Sequence, residues 1–336
     1  MSLVINGEEK RIGLALSGGG FRAAAYHLGT FRKLDELGLL DKLDLLSCVS
    51  GGSIAGAFLC ANWGAPDVLD RLETYLNTRS IAVSSVLGGL INPFSSRVDE
   101  LAKTYDRDLF GGATMASLAG GPRIYINATN LATGNMFFFV AGGGKPEELG
   151  EHELGQHGAS DINISHAVAA SSAFPPVFPP YRIDDDRFPN NDTEYITLTD
   201  GGVYDNLGVN PLLRLERHNL DYALVSDGGK PFEIASDPTE AGTVVLKEAI
   251  GILMEQVRGL QFQRLRLTHL AENGPKAIWF SIDSESGAAH ANDAREASRI
   301  GTNLKRLSDH ELALLTRHAG SLCQHRISQF APELIA

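Results

Sequence analysis

Short apolar runs closed by glycine or aspartate recur along the first two thirds of the chain, and helical spacing follows several of them. The first, Arg11-Ile12-Gly13-Leu14-Ala15-Leu16-Ser17, shows no polar alternation. That suits a strand covered on both faces of a parallel sheet. It runs into Gly18-Gly19-Gly20, after which apolar residues recur at helical spacing from Phe21 to Leu37, with Gly38 as a stop signal. A second run, Leu45-Leu46-Ser47-Cys48-Val49, passes through Ser50-Gly51-Gly52-Ser53 into the apolar helical stretch Ile54 to Leu59. Two strand, loop, helix units in succession predict a parallel sheet with right-handed crossovers.

The remaining pattern extends this α/β reading. Pro66 to Thr78 and Arg97 to Tyr105 read as amphipathic helices. The apolar, glycine-broken run Ile81 to Ile91 between them suits either a lid over a greasy cleft or a packed connection. Arg123 to Thr129 and Asn135 to Val140 predict a hairpin through Gly134, in which alternation sends Phe138 to the face opposite Phe137 and Phe139. Gly142 to Ser160 reads as a loop and Ser165 to Ala173 as a small-residue helix stopped by Phe174-Pro175-Pro176. Asp184-Asp185-Asp186 has no cation-binding spacing around it and reads as a solvated turn. Tyr195 to Thr199 and Tyr222 to Ser226 are strands leading into Asp200-Gly201-Gly202 and Asp227-Gly228-Gly229. A long helix over Thr243 to His269, a strand over Ala277 to Ile282 and a helix over Glu311 to Arg326 complete the chain. Nothing in the 336 residues marks a linker or a repeat, so one domain spanning 1–336 is expected.

Composition narrows the function classes. A formal net charge of -12 excludes the basic footprint that nonspecific nucleic-acid binding needs, and disfavours simple electrostatic docking on anionic lipid. Three cysteines, Cys48, Cys60 and Cys323, form no metal-ligand spacing and no disulfide framework. The first residues lack the basic and apolar regions of a secretory signal, and no stretch reaches transmembrane length without charge. A soluble cytoplasmic protein with at most peripheral membrane contact is expected.

The candidate chemistry sits in the turns. Gly51-x-Ser53-x-Ala55, between an apolar strand and an apolar helix, has the context of a nucleophile elbow, with alanine in place of the second glycine, and puts Ser53 at the corner. A glycine-rich connection between two elements is the competing reading. Gly18, Gly19 and Gly20 would supply backbone N–H donors at a helix N-terminus for an oxyanion. They fit neither the dinucleotide glycine pattern nor a P-loop. A histidine base is the first expectation for a serine nucleophile. His218, His269, His310, His318 and His325 nevertheless fall in or beside helical stretches and read as exposed helical residues; His290 alone does not. His27 and His166 fit helices packed on a sheet. The other solution is a strand-end aspartate as base, and Asp200 and Asp227 share that context equally.

Four ordered blocks go further. Ser17-Gly18-Gly19-Gly20-Phe21-Arg22-Ala23, Val49 to Ala55, Ala170-Ser171-Ser172-Ala173-Phe174-Pro175-Pro176 and Asp200-Gly201-Gly202-Val203-Tyr204-Asp205-Asn206 together resemble the patatin-like phospholipase family. The resemblance covers roughly Arg11 to Lys230. It implies a three-layer α/β/α fold with a mainly parallel central sheet, a motif core over about 11–230, and a region of further helices and one strand over 231–336 packed on it. It also implies a lipid acyl hydrolase working through a Ser-Asp dyad, with Ser53 as nucleophile, Asp200 as base and Gly18, Gly19 and Gly20 as oxyanion hole. Arg22, Gly51, Gly52, Gly201 and Gly202 would support them, without metal or cofactor. Asp200 is preferred to Asp227 because Asn206 and Pro211 follow it as in the family. Phospholipid or another acyl ester is the implied substrate, with transient contact to a membrane surface. A general esterase or thioesterase on soluble acyl esters is the alternative, as is a regulated effector or adaptor silent without an activator. Neither an activator nor a homo-oligomer can be read from the chain.

Overall fold

The computed structural model describes residues 3–81, 97–175, 177–184, 188, 195–232, 242–271 and 274–335. A hairpin of β1 (Leu3–Ile5) and β2 (Glu8–Lys10) precedes a ten-stranded mixed sheet that organises everything else. Its parallel half comprises β3 (Ile12–Leu16), β4 (Leu43–Val49), β5 (Arg123–Asn130), β11 (Tyr222–Asp227) and β12 (Lys276–Ser281), ordered β12-β11-β3-β4-β5. Its antiparallel half continues from β5 through β6 (Met136–Ala141), β7 (Glu148–Glu151) and β8 (Gly155–Gly158), with β9 (Tyr181–Ile183) and β10 (Ile196–Asp200) set off the main path. The parallel order and the β5–β6 hairpin follow the sequence reading. The glycine-rich stretch expected as a loop instead holds β7 and β8, because backbone pairing to β6 organises a segment that has no apolar alternation to announce it.

Side-chain alternation divides the core in two. Ile12, Leu14 and Leu16, Ile124 and Ile126, Leu224, and Phe137 and Phe139 face one layer; Ala15, Tyr125, Ala223, Val225 and Phe138 face the other. All three phenylalanines of β6 are buried, Phe138 on the side opposite its neighbours as alternation requires. The first layer is covered by α1 (Gly20–Glu36), α2 (Gly51–Ala61), α3 (Val68–Thr78) and α10 (Asp309–Phe330), with α4 (Arg97–Tyr105) beside α5 (Ile164–Ser171). Two one-turn helices, α6 (Gly202–Asp205) and α7 (Leu215–His218), and the long α8 (Gly242–Leu270) serve the second layer, and α9 (Asp293–Arg299) precedes α10. The run Ile81 to Ile91 lies, apart from Ile81, outside the described residues, as does most of the acidic turn Asp184-Asp185-Asp186.

One topological detail positions the chemistry. β6 pairs one edge of β5 over Ile124 to Thr129, while β4 takes the other edge over Arg123 to Asn127 and runs parallel to it. Where β4 stops, β10 takes over the same edge in the antiparallel sense, at Ala128 to Asn130. The two strands therefore meet end to end: Val49 is in register with Asn127, and Asp200 with the next residue, Ala128. Whatever follows β4 and whatever ends β10 must come together at the carboxyl edge, where open α/β sheets bind ligands.

Candidate active site

The turn leaving β4 has Ser50 at its corner, not Ser53. β4 ends at Val49, α2 begins at Gly51, and Ser50 between them has φ 51° and ψ −114°. Non-glycine residues rarely hold positive φ, and one that does marks a strained turn that its surroundings enforce. Such a turn lifts a serine hydroxyl clear of its own backbone. Ser50 is partly exposed, whereas Ser53 lies in the first turn of α2 with 0% exposure.

The Ser53 hydroxyl is already engaged. It lies 2.8 Å from the Ser171 hydroxyl, which donates to the Asn127 carbonyl at 2.6 Å and accepts the Ser50 backbone N–H at 3.0 Å. A hydroxyl has a single proton to give, so Ser171 spends its own on Asn127 and Ser53 donates to Ser171. This chain pins the corner to β5 and α5. It makes Ser53 an anchor of the turn and corrects its expected place at the corner.

Asp200 closes β10 with 2% exposure. Its N–H donates to the Ala173 carbonyl at 3.1 Å and its carbonyl accepts from the Thr129 hydroxyl at 2.9 Å, which fixes the backbone on both sides. The carboxylate accepts the Gly202 N–H at 2.7 Å and a hydrogen bond from the Ser50 hydroxyl. Burial pushes its pKa up to about 6, with those two hydrogen bonds holding it back from rising further. Among the described residues no hydrogen bond joins Asp200 to Ser53.

The glycines are where two turns press together. A methyl group on Gly51 would collide with the Gly20 backbone, one on Gly52 with the Leu16 carbonyl, and one on Gly201 with the Asn127 carbonyl. Gly19 (φ 144°) and Gly20 (φ 62°) occupy backbone conformations that disfavour side chains. The three expected oxyanion glycines do not behave alike. The Gly18 N–H donates to the Asn206 carbonyl at 3.0 Å and is not available, whereas those of Gly19, Gly20 and Gly51 make no hydrogen bond among the described residues. Gly51, which the sequence reading placed only in support, follows the corner serine directly and has its N–H unengaged among the described residues. Gly202 has no room for a side chain beside Asn206 and the Asp200 carboxylate.

Arg22 is fully buried and serves as a strut. Its guanidinium donates to the Gly228 carbonyl at 3.1 Å, the Ile300 carbonyl at 2.9 Å and the Thr302 hydroxyl at 2.7 Å, tying the glycine turn to the end of β11 and to the segment before α10. Asp227 is held by Arg258 at 2.9 and 2.7 Å and by Ser281 at 2.8 Å, an ion pair that engages its carboxylate as Asp200's is not engaged. Among the described residues no histidine ring hydrogen-bonds Ser50, Ser53 or Asp200. His27 bridges Ser226 and the Ser17 carbonyl in the core, and burial drives its pKa down to about 4. His218 and His318 are buried, not exposed: His218 meets the Tyr125 hydroxyl and His318 the Ile282 carbonyl, since both helices lay that face on the sheet. Among the described residues no group of three or more His, Cys, Asp or Glu side chains is arranged to hold a metal ion. Two surface clefts lie away from Ser50 and Asp200. One, of about 1040 Å³, runs between α1 and α10; the other, of about 240 Å³, is at the opposite edge of the sheet beside Arg11 and Arg123.

A three-layer α/β architecture with a strained corner serine against a buried strand-end carboxylate is the frame in which comparison with other proteins becomes informative. The family model described as patatin-like phospholipase matches residues 14–213, and the chain belongs to that family. Among solved structures, human GIVD cytosolic phospholipase A2 shares the fold at a TM-score of 0.66 and 13% identity, over 97% of this chain and 60% of that one. The same enzyme in complex with methyl gamma-linolenyl fluorophosphonate matches at 0.61 and 14% identity, over 97% and 58%. The chain thus spans about 60% of the length of these phospholipases. No curated protein sequence matches it.

Proposed function

We propose that the chain hydrolyses carboxylic esters of lipids, phospholipids foremost, through a Ser50–Asp200 dyad. The observation that carries this reading is the pairing of a strained, partly exposed corner serine with a buried carboxylate whose pKa, about 6, lies near neutrality. A base is most effective when its pKa is close to the working pH, and an ordinary exposed aspartate is too weak for a serine hydroxyl. The Ser50 hydroxyl attacks the ester carbonyl while Asp200 takes its proton. The negative charge on the former carbonyl oxygen falls to the N–H groups of Gly51 and of the Gly19–Gly20 turn, at the positive ends of α2 and α1. Collapse expels the alcohol, which recovers the proton from Asp200. Water, deprotonated by the same carboxylate, then releases the fatty acid and restores Ser50.

Two observations favour a lipid over a soluble ester. Family membership is one. The other is the apolar rim: Tyr204 and Phe232, which follow the two Asp-Gly-Gly turns at this edge, are 37% and 50% exposed, and Val177 beside the Phe174–Pro175 stop is 41% exposed. No helix among the described residues is long and apolar enough to cross a membrane, so contact with lipid at this rim would be peripheral.

Fatty-acid release from mixed phospholipid vesicles and hydrolysis of a soluble short-chain ester test the reading together. Wild type is expected to act faster on vesicles. Ser50→Ala is expected to lose on the order of 10³-fold or more on both substrates, and Ser53→Ala to stay within about 10-fold of wild type. Full activity in Ser50→Ala would end the proposal.

A further inference from the structure

The long helix α8 carries an exposed leucine row that packs on no element among the described residues. Its inner face is occupied: Leu265 is fully buried, Gln261 nearly so, Phe262 packs on Trp279 with ring centroids 6.0 Å apart, and Arg258 pairs with Asp227. On the opposite face Leu246, Leu253, Leu260 and Leu267 recur every seventh residue, 59%, 65%, 59% and 67% exposed. Val245, Ile252 and Leu270 widen the row, at 44%, 47% and 71%. Together they leave roughly 700 Å² of mostly apolar surface open, beyond the 300–600 Å² typical of the largest patch on a monomer and close to the ~800 Å² per partner of a standard interface.

We infer that this row is a dimer seam, and that its occupant is α8 of a second copy of this chain, running antiparallel. Seven-residue spacing along a helix suits a facing helix, whose knobs and holes recur at that interval. A lipid surface fits it less well. α8 returns from the carboxyl edge, where β11 ends, to the opposite edge, where β12 begins, so its row runs along the strands. A bilayer approaching Ser50 would meet one end of the row and leave Leu260, Leu267 and Leu270 in water.

Charge selects the direction. Glu248 and Arg266 are both exposed and stand 18 residues apart, five full turns, so they flank the same edge of the row. Antiparallel pairing that sets Leu253 of one protomer against Leu260 of its partner, and Leu246 against Leu267, brings Glu248 beside the partner's Arg266. Parallel pairing would instead set Glu248 and the partner's Glu248 on opposite edges of the seam, and each would lose that cation. The antiparallel seam is self-complementary under a two-fold axis near Gln256, as a symmetric dimer requires.

Sedimentation velocity across protein concentration gives the first reading. The 36.1 kDa chain is expected to sediment as a dimer at micromolar concentration, and Leu253→Glu with Leu260→Glu as a monomer with an unchanged thermal melt. Oxidative cross-linking keeps the test independent of those two charges. Gln256→Cys, next to the two-fold axis, is expected to form a disulfide-linked dimer. Leu246→Cys, roughly 30 Å from its counterpart in the antiparallel arrangement, is expected to form none. The native cysteines Cys48, Cys60 and Cys323 are buried and do not interfere. A monomeric wild type overturns the proposal, and so does loss of vesicle binding in place of dimerisation when the leucines are replaced. Efficient cross-linking at both positions overturns the antiparallel direction.

Discussion

Ser171 is the residue on which the geometry of the corner turns. Its hydroxyl accepts the Ser50 N–H, accepts from the Ser53 hydroxyl and donates to the Asn127 carbonyl, so one side chain joins the Ser50 turn to the strand that β10 also pairs. Ser171→Ala removes the acceptor of the Ser50 N–H and leaves a buried Ser53 hydroxyl unpaired, each a loss of about 1–3 kcal/mol. The expected outcome is a fall in kcat with KM nearly unchanged, larger than for Ser53→Ala; equal kcat in the two variants would contradict this. Asp200 carries an opposite signature. Its folded pKa, about 6, lies above the ordinary aspartate value, so the ionised form is disfavoured in the native state, and native stability falls as pH rises from about 4 to 6 and then levels off. Asp200→Asn should therefore melt at a higher temperature than wild type at pH 7 to 8 while losing activity, a trade of stability for chemistry that calorimetry would detect. At this scale the strand-end place of Asp200 was legible in the sequence, and the corner of the turn was not. The Gly-x-Ser-x-small frame drew the eye to Ser53. The apolar run of β4 ends at Val49, three residues earlier, and that local signal points to Ser50; the contact that keeps Gly52 free of a side chain, against the Leu16 carbonyl, exists only in the fold.

At the scale of elements, the meeting of β4 and β10 head to head on one edge of β5 brings residues 150 positions apart into contact without help from any loop. The parallel strands and their helices were readable because each is a continuous apolar run closed by glycine or aspartate. The antiparallel strands β7 and β8 were not, since Glu148 to Gly158 is glycine-rich and partly exposed and gains its order from β6. Long-range charge pairing was equally invisible. Asp227 and Asp200 share a sequence context, and only the return of α8 across the second layer supplies Arg258 to one of them. Replacing Arg258 with alanine strands a buried carboxylate, which typically costs about 3–5 kcal/mol. Chemical denaturation should show that loss. A change below about 1 kcal/mol would mean that Asp227 is not held by Arg258 in solution.

For the whole molecule, acid sensitivity follows from groups far from the corner. His27 and His218 have pKa values lowered to about 4, chiefly by burial, so each takes up a proton on unfolding between about pH 6.5 and 4 and each removes stability as pH falls through that window. Asp200 works the other way between about 6 and 4, offsetting one of the two. Net stability is thus expected to decline from pH 6.5 toward 4, less steeply in wild type than in Asp200→Asn, which lacks the compensating group; parallel declines would refute the assignment. The same scale holds the relation between a shared architecture and a particular surface. The three layers are shared with phospholipases of which the chain spans about 60%, whereas the leucine row of α8 belongs to the part of the chain beyond the residues matched by the family model.

The central claim, that Ser50 and not Ser53 presents the reactive hydroxyl, is tested most directly by covalent labelling. The protein would be treated with a long-chain alkyl fluorophosphonate, digested, and the modified residue located by tandem mass spectrometry. A single adduct on Ser50, absent from Ser50→Ala, slowed in Asp200→Asn and retained in Ser53→Ala, is the predicted result. An adduct on Ser53, or labelling that persists in Ser50→Ala, would contradict the account.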